Sequence, residues 1–75
     1  MSDSSLDVRG LACPLPVLRA KKTLDRLAPG AELTILATDP GTVRDFQTLC
    51  HQTGHVLLES GQEGDVYRFR IRRKP

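Results

Sequence analysis

The sequence predicts an α/β (α+β) two-layer sandwich with the order β-α-β-α-β-β, in which two helices cover one face of a mixed four-stranded sheet. Three observations lead to this prediction. A strand pattern followed by a helical pattern occurs twice, each helical pattern ends at a glycine, and two further strand patterns complete the chain. With 75 residues, the protein is expected to form a single domain, residues 1–75, with a thin core and little room for a deep pocket.

The first strand and helix lie in the N-terminal part of the chain. Apolar and polar residues alternate over positions 6–9, which predicts a short half-buried strand that Gly10 interrupts. From Pro14 to about Ala28, apolar residues recur at helical spacing and predict the first helix. The Pro-Gly pair that follows ends this helix.

The second strand and helix repeat this arrangement. Residues 33–38 are rather apolar on both faces, which is typical of an interior strand. Asp39 is a favourable N-cap and Pro40 a favourable first helical residue, and Gly54 is expected to end the helix. The expected apolar stripe of this helix consists of Val43, Phe46, Leu49 and Cys50.

The last two strands are predicted to form a hairpin over residues 56–60 and 67–72, with its turn over residues 61–65. The first two strands should be parallel, because a short strand-helix-strand crossover is right-handed with parallel strands. Cys13 and Asp39 follow these two strands and are therefore expected at the same edge of the sheet. Ligands and chemistry collect at the carboxyl ends of parallel strands, so this edge is predicted to be functional.

Composition limits the class of protein. The apolar fraction of 39% and the charged fraction of 27% are typical of a globular chain. No apolar run reaches the roughly 18 residues needed to span a membrane, and the polar N-terminus does not resemble a signal peptide. We therefore expect a cytoplasmic protein with two reduced cysteines. The net charge of +2 does not by itself indicate nucleic-acid binding.

The segment Cys13-Pro14-Leu15-Pro16 is the candidate functional motif. Pro14 suits the first position of a helix, so Cys13 is expected at the N-cap. There the helix dipole and the free amides of Leu15 and Val17 favour a thiolate, by about one pKa unit. We therefore predict an exposed, reactive cysteine with a lowered pKa. The alternative interpretation is a small buried cysteine followed by a turn.

The other cysteine and the histidines have structural interpretations. Cys50 lies on the apolar stripe of the second helix and is predicted to pack in the core, the alternative being a resolving thiol for Cys13. His51 and His55 flank Gly54, which should end the helix and spoil the same-face spacing of a helical metal site. No metal is expected.

Two groups of basic residues are candidate docking surfaces. The first consists of Arg68, Arg70 and Arg72 in the last strand. Their alternation with apolar residues predicts either a solvated sheet face or a surface for an acidic protein or nucleic acid. The second consists of Arg19, Lys21 and Lys22 in the first helix, nearer the motif. Asp39 and Arg44 are candidate neighbours of Cys13, because the shared sheet edge brings their segments together.

Five short segments match the pattern of one known family in register, and together they extend through nearly the whole chain: residues 6–16, 21–24, 38–40, 44–45 and 54–55. Through them the chain resembles the TusA-type (SirA-like) sulfur-carrier family. The Cys-Pro-x-Pro motif alone would be a weak signal. A later Asp-Pro at the start of the next helix, in a chain of this size, makes it a strong one.

The resemblance implies a persulfide on Cys13, with Pro14 and Pro16 supporting the motif. It implies a cysteine desulfurase or rhodanese as donor and a downstream sulfur-relay protein as acceptor, in tRNA wobble-uridine 2-thiolation or in dissimilatory sulfur oxidation. Such a carrier is of the sulfurtransferase type without being an autonomous multi-turnover enzyme. We expect a monomer with no cofactor beyond the covalent persulfide and no direct contact with nucleic acid or membrane. Two alternatives stay open, a basic nucleic-acid-binding module and a thiol redox sensor.

Overall fold

The secondary-structure elements follow one another in the predicted order. The computed structural model describes residues 3–75; Met1 and Ser2, the start of the polar N-terminus, lie outside this range. The elements are β1 (Ser4–Val8), α1 (Leu15–Arg26), β2 (Glu32–Ala37), α2 (Thr42–Thr53), β3 (Val56–Glu63) and β4 (Val66–Arg72). Two helices and a mixed sheet of four strands confirm the predicted fold class.

The sheet has the strand order β1-β2-β4-β3. β1 and β2 are parallel, with Leu6 opposite Ile35, and β2 and β4 are antiparallel, with Ile35 opposite Phe69. β2 is therefore an interior strand, as its apolar character predicted. Because β1 and β2 run in the same direction, their carboxyl ends meet at one edge of the sheet, and the loops that follow them lie side by side.

The hairpin of β3 and β4 is longer than predicted. The observed turn lies within the expected range of residues 61–65 but is shorter, because Gly61 still pairs with Arg68 and the ladder continues to Glu63 opposite Val66. The chain reverses at Gly64, whose φ of 60° lies in the left-handed region. A glycine with positive φ at the first position of a two-residue turn matches the twist of the two strands.

Apolar side chains from both helices and from one face of the sheet form the core. Its completely buried apolar residues include Val8, Ala20, Leu24, Leu33, Ile35, Ala37, Phe46, Phe69 and Ile71. Phe46 of α2 meets Phe69 of β4 with ring centroids 4.7 Å apart and planes tilted by 53°. Such a pair contributes about 0.5 to 1.5 kcal/mol beyond its buried area. Cys50 is buried beside this cluster, which confirms its predicted core position.

The helices begin later than the sequence predicted, at Leu15 and Thr42 instead of at the preceding prolines. The Leu15 N–H donates to the carbonyl oxygen of Ala12 (2.9 Å), and the Thr42 N–H donates to that of Asp39 (3.0 Å). Each helix is therefore preceded by a tight turn that contains the proline. α2 ends as predicted at Gly54, whose φ of 86° is left-handed and whose N–H donates to the Cys50 carbonyl oxygen.

The C-terminal segment is held by a buried histidine. The backbone N–H of Lys74 donates a hydrogen bond to Nδ1 of His55 at 3.0 Å. Nδ1 therefore carries no hydrogen, and the imidazole is in its neutral form. Burial lowers the pKa of His55, and the positive charges of Lys74 and Arg73 lower it further. His55 is thus a structural hydrogen-bond acceptor.

This arrangement predicts a pH-dependent loss of stability. Below about pH 6.5 His55 binds a proton more readily in the unfolded than in the folded protein, so the free energy of unfolding should decrease as the pH falls. Replacing His55 by Asn keeps an acceptor that does not titrate, and should reduce the loss of thermal stability between about pH 7.5 and pH 5.5. His51→Asn, at an exposed position, is the matched control. Equal pH dependence in wild type and His55→Asn would contradict the prediction.

Candidate functional site

The loops after β1 and β2 are joined by hydrogen bonds. The backbone N–H of Gly10 donates to Oγ1 of Thr38 at 2.8 Å, and the backbone N–H of Cys13 donates to Oδ2 of Asp39. Both contacts lie at the sheet edge where the sequence predicted the two segments to meet. They hold the loop that carries Cys13 against the segment that leads into α2.

Asp39 organises this edge with both carboxylate oxygens. While Oδ2 accepts from the Cys13 N–H, Oδ1 accepts from the Gly41 N–H at 3.0 Å. Its backbone carbonyl also accepts from Oγ1 of Thr42 at 2.6 Å. The backbone hydrogen bonds from Gly41 and Cys13 lower the pKa of Asp39, because they stabilise its charged form. Asp39 is thus a fixed negative charge beside Cys13.

The thiol of Cys13 is exposed and faces α2. Its Sγ donates a hydrogen bond to Oδ2 of Asp45 at 2.9 Å. Asp45 lies in the first turn of α2, so the sulfur bridges the N-terminal ends of the two helices. The site therefore consists of one thiol between two carboxylates, Asp39 on the backbone side and Asp45 on the sulfur side.

The expectation of a lowered thiol pKa is wrong. The hydrogen bond to Asp45 raises the pKa of Cys13, and the negative charges of Asp45 and Asp39 add to this effect. The amide of Leu15, which was expected to stabilise a thiolate, instead donates to the Ala12 carbonyl. Cys13 also lies one residue before the N-cap position, which Pro14 occupies, so it is further from the helix dipole than predicted.

Asp45 is the site residue that the sequence interpretation missed. It adjoins Arg44, which the sequence predicts as a neighbour of Cys13, and residues 44–45 contribute to the family resemblance. Arg44 itself is exposed and lies on the same groove as Cys13. The sequence does contain a signal for Asp45, because it places a carboxylate in the first turn of a helix that begins at the functional edge. It does not reveal whether the side chain of Arg44 or that of Asp45 faces the thiol.

A shallow groove of about 320 Å³ runs from Cys13 between the two helices. Val17 and Leu49 contribute apolar walls, and Leu18 projects into solvent with 55% of its surface exposed. Lys21, Arg44, Asp45 and Gln52 are among its polar lining residues. The expectation of a thin core without a deep pocket agrees with this open shape, but the thiol does have an adjoining depression large enough for a side chain of a partner.

The predicted basic patch of α1 is divided between two surfaces. Lys21 lines the groove beside Cys13, whereas Arg19 and Lys22 line a separate depression near Leu6. The reason is helical geometry, because residues one or two positions apart point in different directions. Lys21 is therefore the member of the group that the fold brings to the thiol.

The arginines of β4 lie on the face of the sheet opposite the helices. Arg70 is paired with Glu32 at 3.4 Å and with Glu59 at 3.7 Å, and Arg72 is paired with Glu32 at 3.4 Å. Arg68 is exposed on the same strand. Neighbouring carboxylates thus balance part of the positive charge of this face, which weakens the case for nucleic-acid binding.

Within residues 3–75, no cluster of three or more His, Cys, Asp and Glu side chains has the arrangement of a metal site. His55 is engaged with the Lys74 amide, and Cys50 is buried in the core. In the same part of the chain, neither helix has the length and apolar character that crossing a membrane requires.

The fold is similar to that of a solved SirA-like protein from Desulfitobacterium hafniense. The two structures superimpose with a TM-score of 0.84 and 27% sequence identity, over 96% of this chain and 99% of the other. The shared architecture defines a class of small two-layer proteins with two helices on a mixed sheet.

Sequence comparison narrows the class to one family. Residues 4–73 match the family model described as sulfurtransferase TusA. The sulfur carrier protein TusA of Allochromatium vinosum is 51% identical over 95% of this chain and 93% of its own length. A putative sulfur carrier protein of Neisseria meningitidis serogroup A is 49% identical over 99% of this chain and 100% of its own length. The chain belongs to the TusA family.

The site geometry predicts the acidity of Cys13. In a Cys50→Ala background, the rate of alkylation by iodoacetamide should rise with pH to a midpoint above the usual thiol value of about 8.5, because Asp45 and Asp39 disfavour the thiolate. In wild type, Cys50 should react only on unfolding, since it is buried. A midpoint below the usual value would show that the helix dipole outweighs the carboxylates.

Proposed function

We propose that this protein is a sulfur carrier that accepts sulfane sulfur on Cys13 as a persulfide and passes it to a cysteine of the next protein in a relay. The observation that supports this function best is the exposed thiol at the open end of a groove, held between the starts of both helices. Membership of the TusA family and relatives named sulfur carriers support it independently.

The residues of the site suit a transfer of one sulfur atom between cysteines. Cys13 loses its proton and attacks the outer sulfur of a donor persulfide, a new S–S bond forms, and the bond within the donor breaks. The donor cysteine leaves as a thiolate and takes up a proton. No net oxidation or reduction occurs, so the reaction needs no metal and no organic cofactor.

Exposure of the thiol is the property that a carrier requires. A persulfide donor and an acceptor cysteine must each reach the same atom in line with the S–S bond that breaks or forms. Cys13 is exposed, and the groove beside it is open along its length. The fold therefore leaves the sulfur accessible to protein partners in turn, which a buried catalytic cysteine would not allow.

The partners are a cysteine desulfurase or a rhodanese as donor and a downstream sulfur-relay protein as acceptor. The acceptor determines whether the sulfur enters tRNA wobble-uridine 2-thiolation or dissimilatory sulfur oxidation. The rival functions have less support. A redox sensor needs an accessible resolving thiol, whereas Cys50 is buried, and ion pairs occupy two arginines of the open sheet face.

Substitution of the thiol tests the carrier role. Cys13→Ser should abolish sulfur acceptance from a cysteine desulfurase supplied with cysteine, because a hydroxyl cannot form a persulfide, and the fold should stay intact. Cys50→Ala should still gain one sulfur by mass spectrometry and lose some stability as a core substitution. Sulfur loading that persists in Cys13→Ser and disappears in Cys50→Ala would overturn the assignment. A disulfide between the two cysteines would favour the redox sensor.

Charge reversal tests the docking surface. Changing Arg19, Lys21 and Lys22 together to Glu should slow transfer from a protein donor by about threefold to tenfold at low salt, since surface charges chiefly affect association rates. Lys21→Glu alone should account for much of the effect if the partner binds over the groove. Wild-type transfer should weaken as salt rises. Transfer by the triple variant at the wild-type rate would move the docking surface to the arginines of β4.

A further inference from the structure

The hydrogen bond between Cys13 and Asp45 gives the empty and the loaded carrier different energies. In the empty protein, the thiol hydrogen is donated to Oδ2 of Asp45 over 2.9 Å. A persulfide has no hydrogen on Sγ, so this contact cannot form once the second sulfur is attached. The outer sulfur of a persulfide is also more acidic than a thiol and carries a negative charge at neutral pH.

The charged groups around the thiol come from three elements. The loop after β2 contributes Asp39, whose carboxylate accepts from the Cys13 and Gly41 amides. α2 contributes Asp45, in contact with the sulfur, and Arg44 on the groove. α1 contributes Lys21, also on the groove. The two carboxylates are hydrogen-bonded to the Cys13 backbone and sulfur, so they repel an anion formed on this residue.

We propose that Asp45 is a positioning residue that holds Cys13 as a neutral thiol in the empty carrier and destabilises the anionic persulfide, so that the carrier releases its sulfur readily to an acceptor. The second half of this inference, the ready release of sulfur, rests on the proposed function. The first half, the neutral thiol, concerns the empty protein alone and is tested without sulfur transfer. In both halves Asp45 acts through Cys13, and it does not itself bond to sulfur.

The release step balances without a further reagent. An acceptor thiolate attacks the outer sulfur, a new S–S bond forms on the acceptor, and the pair of electrons of the broken S–S bond returns to Sγ of Cys13. The Cys13 thiolate then takes a proton from solvent and donates it in a hydrogen bond to Asp45. The negative charge leaves with the acceptor persulfide, so the repulsion from Asp45 is relieved as the sulfur departs.

The first experiment measures thiol acidity in the empty protein. In a Cys50→Ala background, Asp45→Asn removes the charge and keeps the shape, and should shift the alkylation midpoint down by about one pH unit, with a rate up to about tenfold higher near pH 7. Asp45→Glu keeps the charge and should restore most of the wild-type profile. Asp25→Asn, at the opposite end of α1, is the matched control and should leave the profile unchanged. An Asp45→Asn midpoint equal to that of wild type would overturn the proposal.

The second experiment measures sulfur partition at equilibrium. Each protein is mixed with glutathione and glutathione persulfide near pH 7.5, and the loaded fraction is read by mass spectrometry. The ratio of loaded to empty protein should be several-fold higher in Asp45→Asn than in wild type or Asp25→Asn. Equal ratios would overturn the release half of the proposal and leave the carrier function standing. A wild type that takes up no sulfur from this pair or from a desulfurase would overturn the carrier function, whereas the alkylation profile would still decide the role of Asp45.

Discussion

The carboxylate of Asp39 is the contact on which the arrangement of the site depends. Parallel pairing of β1 and β2 brings two loops to the same edge of the sheet, but it does not determine how far apart they lie. The hydrogen bonds that Asp39 accepts from the Cys13 and Gly41 amides fix this separation. They place the thiol against the first turn of α2, within reach of Asp45. One side chain thus converts a common strand-helix-strand unit into a site with defined chemistry.

The dipole of α1 and the carboxylate of Asp45 act on the pKa of the Cys13 thiol in opposite directions, and the two effects differ in range. The N-terminus of α1 favours a thiolate through partial charges that weaken beyond the first turn, and a turn within the motif already uses the Leu15 amide. Asp45 carries a full charge and contacts the sulfur directly. The contact with the carboxylate therefore opposes the helix dipole, and it raises the pKa of a cysteine that the motif alone predicts to be activated.

Much of the fold could be predicted because apolar periodicity and crossover handedness are properties of single elements or of neighbouring pairs. The interior position of β2 and the burial of Cys50 followed from such patterns. The contact between Cys13 and Asp45 could not be predicted, because 32 positions separate the two residues and the contact depends on the rotation of α2 about its axis. The hairpin turn was predicted too long because Gly61 and Gly64 are both turn signals, whereas strand pairing continues past Gly61 and the chain reverses at Gly64. By contrast, helical spacing alone could have separated Lys21 from Arg19 and Lys22.

The distribution of ion pairs favours the groove over the open sheet face as the docking surface of the proposed carrier. Arg70 and Arg72 already interact with carboxylates of this chain, so a partner that used them would first have to compete with those contacts. Within residues 3–75, neither Lys21 nor Arg44 takes part in an intramolecular salt bridge. Both line the groove that ends at the thiol, beside the exposed side chain of Leu18. A partner that buries this apolar surface and supplies acidic groups gains both interactions at the point where its own cysteine must approach Cys13.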